Sequence, residues 1–188
     1  ETLRIGSVKA TAGTYYNGWL KNLTLKKAGT TVLDMRGNTP ANSPLGPAIA
    51  FDGTGDYIEV DDSADWDFGA NDFTVEWYEY RTASTAQAAT IARDGNTAYT
   101  PYLLGYSSGE NLLVYITSNG SSWDIAKGKT LGSLTLNTWV HLAISRSGSN
   151  WYLFKNGVQT DTWSSSATIY ANANPFSIGH TQASRYFP

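Results

Sequence analysis

The chain has 188 residues, of which 41% are apolar, 13% aromatic and only 15% charged, with no cysteine and a formal net charge of -3. This length suits one compact domain, and the absence of cysteine excludes a disulfide scaffold, a thiolate zinc site and a cysteine nucleophile. The slight acidity argues against nucleic-acid binding through phosphate neutralisation, and no apolar run reaches the ~18 residues of a membrane span.

Short runs rich in Thr, Val, Ile, Tyr and Trp alternate with turns of Gly, Asn, Asp and Ser, and helical periodicity is nearly absent. The chain is therefore predicted to be all-β. The predicted strands, in chain order, are Trp19–Leu25, Thr31–Met35, Ala48–Phe51, Tyr57–Val60, Phe73–Arg81, Thr90–Arg93, Tyr102–Gly105, Asn111–Thr117, Trp139–Ser145, Trp151–Lys155 and Phe176–Ile178. About ten short strands at this spacing favour a two-sheet antiparallel β-sandwich of the jelly-roll type.

The central predicted strand, Phe73–Arg81, has two faces of different character, because successive side chains of a strand point to opposite sides. The face expected in the core is apolar and consists of Phe73, Val75 and Trp77. The other face is both polar and aromatic, with Thr74, Glu76, Tyr78 and Tyr80. A surface of this kind suits contact with water and with a sugar.

Four segments of the chain carry a family likeness. In chain order they are Phe51–Val60, Phe68–Trp77, Trp139–Arg146 and Trp151–Gly157. Together they resemble the laminin-G-like branch of the concanavalin A-like lectin/glucanase superfamily, over residues 31–188. The resemblance implies two antiparallel sheets, one of them concave, and a glycan-binding or protein-binding module of a secreted, cell-surface or phage structural protein. Likeness of fold does not establish activity.

Most residues of these segments are expected to have structural roles. Gly53, Gly55 and Gly157 suit tight turns, and Asn156-Gly157 is predicted to close a hairpin. Trp139 and Leu142 are expected to fill the core.

The two ends of the chain contain a similar pattern. An Ile-Gly step followed by a small polar loop and aromatic residues occurs at Ile5-Gly6 and again at Ile178-Gly179, but the second copy stops at Pro188. The start at Glu1, without a signal-like segment, indicates a processed product or a piece of a longer chain.

Residues 1–25 therefore have two interpretations. They are the tail of a preceding repeat, or Trp19–Leu25 supplies the closing strand of the same domain, beside Thr31–Met35. We favour the second, a single sandwich over residues 1–188, because an uncovered first strand would leave an edge that invites pairing with another chain. The same argument allows strand exchange in a homo-oligomer.

Catalysis has little support in the sequence. A retaining glycoside hydrolase needs two carboxylates about 5 Å apart, and the superfamily's usual Glu-x-Asp-x-x-Glu does not occur. Glu76 and Glu79 are an odd number of positions apart and should point to opposite faces of a strand, while Glu59 and Asp61 share a face but lack a third acid. Lyases of related jelly rolls use a histidine, but His141 is predicted to be structural. We expect no enzymatic activity.

A calcium ion is possible, because the family frequently binds one and calcium takes oxygen ligands from Asp and backbone carbonyls. Asp61, Asp62 and Asp65 in an acidic loop are candidates, and Asp34 near the terminal strands is another. A solvated acidic face is the favoured alternative, because the sequence lacks the spacing of an EF-hand loop.

Sugar binding requires flat aromatic surfaces flanked by side chains that form hydrogen bonds with hydroxyls. Trp123 and Trp163 are the tryptophans least explained by strand alternation and are the first stacking candidates. Further candidate groove residues are Tyr78, Tyr80, Tyr102 and Tyr106. For each of these residues, packing or an inter-subunit contact is the alternative. Arg81 and Arg93 either pair with carboxylates of an acidic glycan or with the acidic patch of this chain.

The sequence thus predicts a non-catalytic glycan-binding or adhesion module of a larger extracellular or virion-surface assembly. A phage head, tail or fibre protein would suit the cysteine-free composition rich in Thr, Ser and Asn. The expected partners are a glycan or surface receptor and neighbouring copies or structural subunits. A purely structural capsid, fibre or cell-surface interaction domain is the alternative, and a glucanase comes third.

Overall fold

A computed structural model describes residues 3–7, 14–15, 17–34, 48–53, 56–84, 87–93, 99–106 and 109–181 of the chain. Its strands are β1 (Leu3–Ser7), β2 (Thr14–Tyr15), β3 (Asn17–Lys27), β4 (Thr30–Asp34), β5 (Ile49–Asp52), β6 (Asp56–Val60), β7 (Phe73–Arg81), β8 (Ala88–Arg93), β9 (Tyr102–Tyr106), β10 (Asn111–Ile116), β11 (Ala126–Ser133), β12 (Trp139–Ser147), β13 (Asn150–Lys155), β14 (Val158–Ser164), β15 (Phe176–Ile178) and β16 (His180–Thr181). A single-turn 3₁₀ helix, Ala64–Trp66, lies between β6 and β7.

Two large sheets contain most of these strands. Sheet I has the order β1-β6-β15-β8-β9-β10-β11. Sheet II has the order β14-β13-β12-β7-β3, and β3 then pairs with β5 along its first half and with β4 along its second. All strand pairs within both sheets are antiparallel in the described residues. The prediction of an all-β, two-sheet antiparallel sandwich is therefore confirmed.

Apolar side chains from the inner faces of the two sheets fill the interior. Trp66, Trp77 and Trp151 are at most 1% exposed. The ring of Phe73 lies parallel to that of Phe68 at 4.4 Å and edge-on to Trp151 at 5.5 Å. Burial of each such side chain contributes about 1.5–3 kcal/mol, so this aromatic layer is a major source of stability.

Strand β3 contains a bulge that sets which of its side chains face the core. The register against β7 shifts between Lys21 and Thr24, and Asn22 adopts a left-handed conformation with φ 53°. The extra residue keeps three leucines inside at 0–3% exposure, namely Leu20, Leu23 and Leu25. It also leaves Thr24 and Lys26 as the partners of outer-face residues of β7. Bulges re-aim side chains in this way and are common beside binding sites.

The segment Trp19–Leu25 pairs on both sides within its own chain. On one side β3 pairs with β7, and on the other it pairs with β4, with Leu25 opposite Leu33 and Lys27 opposite Thr30. The two-residue turn Ala28-Gly29 joins β3 to β4 with positive φ at both residues, which is the turn geometry preferred in hairpins. This pairing is the one that the second interpretation of residues 1–25 requires. Met35 and residues 182–188 lie outside the described residues.

Candidate functional site

A groove of about 300 Å³ lies on the outer face of sheet II. Strands β3, β4, β7 and β12 supply its lining residues, which are Asn22, Thr24, Lys26, Thr31, Glu76, Tyr78 and His141. Alternation along β7 puts Glu76 and Tyr78 on this face, because Val75 and Trp77 occupy the core positions between and beside them. We call this feature the sheet II groove.

Three side chains of different chemistry meet in the sheet II groove. The Nε2 atom of His141 lies 3.5 Å from Oε2 of Glu76, and the rings of Tyr78 and His141 have centroids 4.9 Å apart. All three are accessible, with 25% of the His141 side chain, 42% of the Glu76 side chain and 37% of Tyr78 exposed. A bound molecule can therefore contact a carboxylate, an imidazole and a phenol at once.

The backbone on both sides of His141 is fixed by the turn after β13. Its amide donates to Oδ1 of Asn156 at 2.9 Å, and its carbonyl accepts from the Asn156 amide at 2.8 Å. Asn156 and Gly157 have φ of 51° and 78° and close the β13–β14 hairpin as predicted. The imidazole thus extends from a rigid part of the sheet.

Trp139 and His141 share the outer face of β12, so the prediction that Trp139 fills the core is wrong. Val140 and Leu142 take the inner positions, at 5% and 0% exposure. Trp139 is half-buried and lies opposite Tyr80, with ring centroids 5.5 Å apart. The predicted strand Trp139–Ser145 is present and extends to Ser147, and Leu142 fills the core as predicted. Trp139 is an odd number of positions from Leu142 and therefore points to the other face. His141 consequently lines the groove rather than packing inside.

A second aromatic pair lies further across the same face. Tyr152 and Phe154 of β13 are half-buried, with ring centroids 6.3 Å apart. Tyr152 is the Cα partner of Ser145, and Phe154 is the partner of Ala143. Since Ala143 is also opposite Glu76, these rings continue the surface that begins at the sheet II groove.

Three predicted groove residues lie in the interior instead. Tyr102, Tyr106 and Arg81 are only 4%, 0% and 2% exposed, so none of them offers a surface to a sugar. The Tyr102 hydroxyl donates to the carbonyl of Trp66 at 3.2 Å, and burial raises the pKa of Tyr102 above its usual range. The Arg81 guanidinium lies 3.7 Å from the ring centre of Tyr106. For the two tyrosines the physical reason is that every residue of β9 is buried, so alternation does not identify a solvent face there, whereas Arg81 shares the inner face of β7 with Trp77.

Glu79 is buried on the core face of β7, opposite to Glu76. It is 1% exposed, and its carboxylate accepts from Trp77 Nε1 at 2.9 Å, from the Tyr106 hydroxyl and from Thr90 Oγ1 at 3.5 Å. The two carboxylates therefore point away from each other, as their odd spacing predicts, and cannot act on one glycosidic bond.

The two predicted stacking tryptophans lie away from the sheet II groove. Trp163 is half-buried and stacks on Trp151 at 5.4 Å, with the Lys129 ammonium 5.4 Å from its ring centre. Trp123 is half-buried against Tyr99 and Tyr115, with ring centroids at 5.2 and 5.3 Å. Trp163 packs against the main core, and Trp123 packs on the outer side of sheet I.

Hydrogen bonds within residues 117–124 fix the loop that carries Trp123. Oδ1 of Asn119 accepts from the amides of Ser121 and Ser122 at 2.8 and 2.9 Å. Burial opposes ionisation of Asp124, but hydrogen bonds from the Ser118 hydroxyl and amide outweigh it, and the pKa of this carboxyl lies below its usual value. The loop is rigid and polar, with a single packed indole.

Arg93 neutralises part of the acidic loop that was considered for calcium. Its fully buried guanidinium pairs with Asp62 and lies 3.2 Å from Asp67. The Asp65 amide donates to Ser63 Oγ at the start of the 3₁₀ helix, and the carbonyl of Asp61 accepts from Trp66. Of the two alternatives for Arg93, pairing with the chain's own acidic patch is the one observed.

The geometry gives calcium no support within the described ranges. No group of three or more His, Asp or Glu side chains there could hold a metal ion. The side chain of Asp34 lies outside the described part of the structure. The described residues also contain no helix long and apolar enough to cross a membrane.

The fold and the matching sequence segments define the family. A sequence profile of the concanavalin A-like lectin/glucanases superfamily matches residues 52–188. The chain belongs to this superfamily, and the resemblance found in the sequence is confirmed. Among curated proteins, none matches the chain significantly.

Several solved structures are similar in fold. A carbohydrate-binding-protein candidate from Bacteroides ovatus is 12% identical with a TM-score of 0.46, and the alignment covers 92% of this chain but only 38% of that one. An alginate lyase from Corynebacterium sp. is 17% identical with a TM-score of 0.40, covering 90% and 87% of the two chains. An alginate lyase of polysaccharide lyase family 7 is 13% identical with a TM-score of 0.42, covering 85% and 82%.

Proposed function

We propose that this chain is a non-catalytic carbohydrate-binding module whose ligand occupies the sheet II groove. The supporting observation is that an exposed tyrosine ring, Tyr78, lies among polar side chains in a groove of about 300 Å³. Pyranose rings stack on aromatic faces, while their hydroxyls need donors and acceptors close by. Membership of a superfamily named for lectins and glucanases supports the same function.

Different residues of the sheet II groove would contact different parts of a bound sugar. The ring of Tyr78 offers a flat surface, and the exposed side chains of Asn22 and Thr31 offer an amide and a hydroxyl group for hydrogen bonds. The half-buried pair Tyr80 and Trp139 adjoins Tyr78 along the strand direction. A sugar chain lying along β7 would therefore meet further aromatic surface beyond the groove.

The absence of a carboxylate pair in the groove supports binding without hydrolysis. Glu76 is the single carboxylate among the described groove residues, and hydrolysis of a glycosidic bond needs two. Glu79, the nearest acid along the strand, is held inside by Trp77 and Tyr106.

A glycan array followed by calorimetry tests the proposal. Tyr78→Ala should weaken binding of the best glycan about tenfold, the loss expected when about 1.4 kcal/mol of stacking is removed. Tyr170→Ala is the matched control, because Tyr170 is equally exposed, at 39%, but does not line the groove. Binding to no sugar, with or without calcium, or an equal loss in both variants would overturn the proposal.

Acid–base catalysis in the same groove is a second candidate. An imidazole beside a carboxylate and a phenol is a set that proton transfer uses, and His141 has both neighbours. Cleavage of a uronate polymer to unsaturated products, lost in His141→Ala, would establish it. Turnover of a β-glucan, lost in Glu76→Gln, would instead establish hydrolysis.

We extend the proposal to the bounds of the domain and to the assembly that contains it. We propose that residues 1–25 belong to the same domain, since β3 pairs with β4 and β7 of its own chain. The module would act in an extracellular or virion-surface assembly. If the domain is purely structural, a neighbouring subunit should cover the outer face of sheet II, and cross-linking of the assembled particle through Tyr78→Cys would detect that contact.

A further inference from the structure

We infer that the ligand of the sheet II groove is an acidic polysaccharide, whose anionic groups pair with Lys26. This inference rests on the proposed function and specifies the class of sugar. It depends on the charges within the groove rather than on the net charge of the chain, which is -3.

The described lining of the groove contains two fully charged side chains and one histidine. These are Lys26, Glu76 and His141. Glu76 has His141 as a neighbour at 3.5 Å, whereas Lys26 is exposed and has no ion-pair partner among the described residues. Lys26 is therefore the charge that remains available to a ligand.

The surroundings of Lys26 suit an anion. Its Cα partners are Thr31 on β4 and Thr74 on β7, so neutral hydroxyl-bearing residues flank it on both sides. Hydroxyl groups donate hydrogen bonds to carboxylates and sulfates without adding opposing charge.

The bulge at Asn22 is what brings Lys26 to the groove. If the same sequence formed a regular strand without the bulge, the alternation that buries Leu20 would also bury Thr24 and Lys26 and expose Leu23 and Leu25. The bulged strand instead aligns Lys26 with Thr74, on the same face as Glu76. A charge is thereby placed beside a ring and several hydroxyls.

The two arginines that the sequence offered for pairing with an acidic glycan, Arg81 and Arg93, are not accessible to a ligand. Arg93 is fully buried and paired with Asp62 and Asp67. Arg81 is 2% exposed and lies over the ring of Tyr106. Recognition of an anion on the outer face of sheet II therefore depends on β3 rather than on β7 or β8.

Paired oligosaccharides test the inference directly. A panel of neutral glucan, mannan and galactan oligosaccharides is compared, at low salt, with the same oligosaccharides oxidised at C6 to uronates and with their sulfated forms. We expect an acidic member of a pair to bind about three- to fivefold more tightly than its neutral parent, as one exposed ion pair allows. The uronate and sulfate arms separate the two sources of the anionic group, and added salt should remove the advantage.

Matched variants assign the effect to the groove. Lys26→Gln should abolish the preference for the acidic partner, measured as the ratio of the acidic and neutral affinities of the same variant. Lys127→Gln, an exposed lysine on β11 of the other sheet, should leave the preference intact. Glu76→Gln should strengthen acidic binding, because it removes a like charge from the groove. Thermal melting checks that each variant is folded.

The two proposals fail in distinguishable ways. Equal or tighter binding of the neutral oligosaccharides, or a preference that survives Lys26→Gln, would overturn the acidic class and leave carbohydrate binding standing. Binding of no oligosaccharide in the panel or on the array would overturn both.

Discussion

Each face of β7 carries a glutamate, but the glutamate on the inner face is buried and the one on the outer face is exposed. On the inner face, Glu79 is 1% exposed and accepts hydrogen bonds from Trp77 and Tyr106. On the outer face, the side chain of Glu76 is 42% exposed and has His141 at 3.5 Å. A buried carboxylate whose hydrogen-bond donors are in place is part of the core. An accessible carboxylate with one neighbouring side chain can contact a ligand. Placement, and not residue type, therefore separates the core carboxylate of this strand from the one that is accessible to a ligand.

The largest expected difference between the faces is in stability. Glu79→Ala would leave the Trp77 and Tyr106 donors buried without their acceptor, and we expect it to lower the free energy of unfolding by about 3–5 kcal/mol. Glu76→Ala, the matched variant on the outer face, should change it by no more than about 0.5 kcal/mol. Urea denaturation of both proteins measures this. Similar losses of unfolding free energy in the two variants would contradict the difference between the inner and outer faces of β7.

The neighbouring strand β12 provides the same contrast with an apolar residue. Leu142→Ala should cost about 3 kcal/mol, because Leu142 is fully buried and its removal leaves a cavity. His141→Ala, one position earlier on the outer face, should cost well under 1 kcal/mol. The readout is again the urea midpoint. A large loss in His141→Ala would mean that the imidazole supports the fold as well as the groove.

The smallest expected effect concerns Tyr102, which lies inside although its sequence suggested a groove position. Burial raises its pKa, so the folded chain keeps the phenol proton at a pH where the unfolded chain releases it, above about pH 10. Stability should fall as the pH rises beyond that value, by up to about 1.4 kcal/mol per pH unit from this group. Tyr102→Phe should lose about 1 kcal/mol at neutral pH, because its hydrogen bond to Trp66 is lost.

The alkaline slope is the decisive measurement for that variant. The fall in stability should be less steep in Tyr102→Phe, although Tyr115, whose pKa burial also raises, still contributes. Tyr170→Phe, at an exposed position, should leave the slope unchanged. Identical slopes in the wild type and in Tyr102→Phe would contradict the buried environment of this phenol.

Strands with strong alternation were predicted well, and the edge strand β4 was predicted to within one residue at each end, but the edge strands β1, β11 and β14 were missed. The bounds of β7 and β15 agree with the prediction, and β13 differs by one residue. Strand β14 was missed, since it is a polar edge strand whose side chains are mostly exposed and show no apolar period. Strand β11 was missed because Gly128 and Gly132, with φ of 66° and 85°, accompany two register shifts against β10.

Of the seven described lining residues, the sequence predicted only Tyr78 as a binding residue, although it also placed Glu76 on the same face. Tyr78 and Tyr80 were assigned to the outer face because they alternate with Trp77, whose core position is clear. The residues from β3 and β4 were missed, although the proposed closing strand Trp19–Leu25 was the signal that could have placed them. Asn22 and Thr31 reach the groove only through pairing with a strand some fifty residues away.

The sequence by itself determined the class of fold and the two faces of its best strands. Alternation and turn residues act between neighbours along the chain, so they can be read without knowing what lies across the sheet. Only the tertiary structure decided which strands pair and which strands are buried on both faces. It buried Tyr102 and Tyr106 on a strand enclosed on both sides, and it brought Lys26 beside Glu76 through a bulge. These outcomes depend on partners distant in sequence, and the groove exists only where such partners converge.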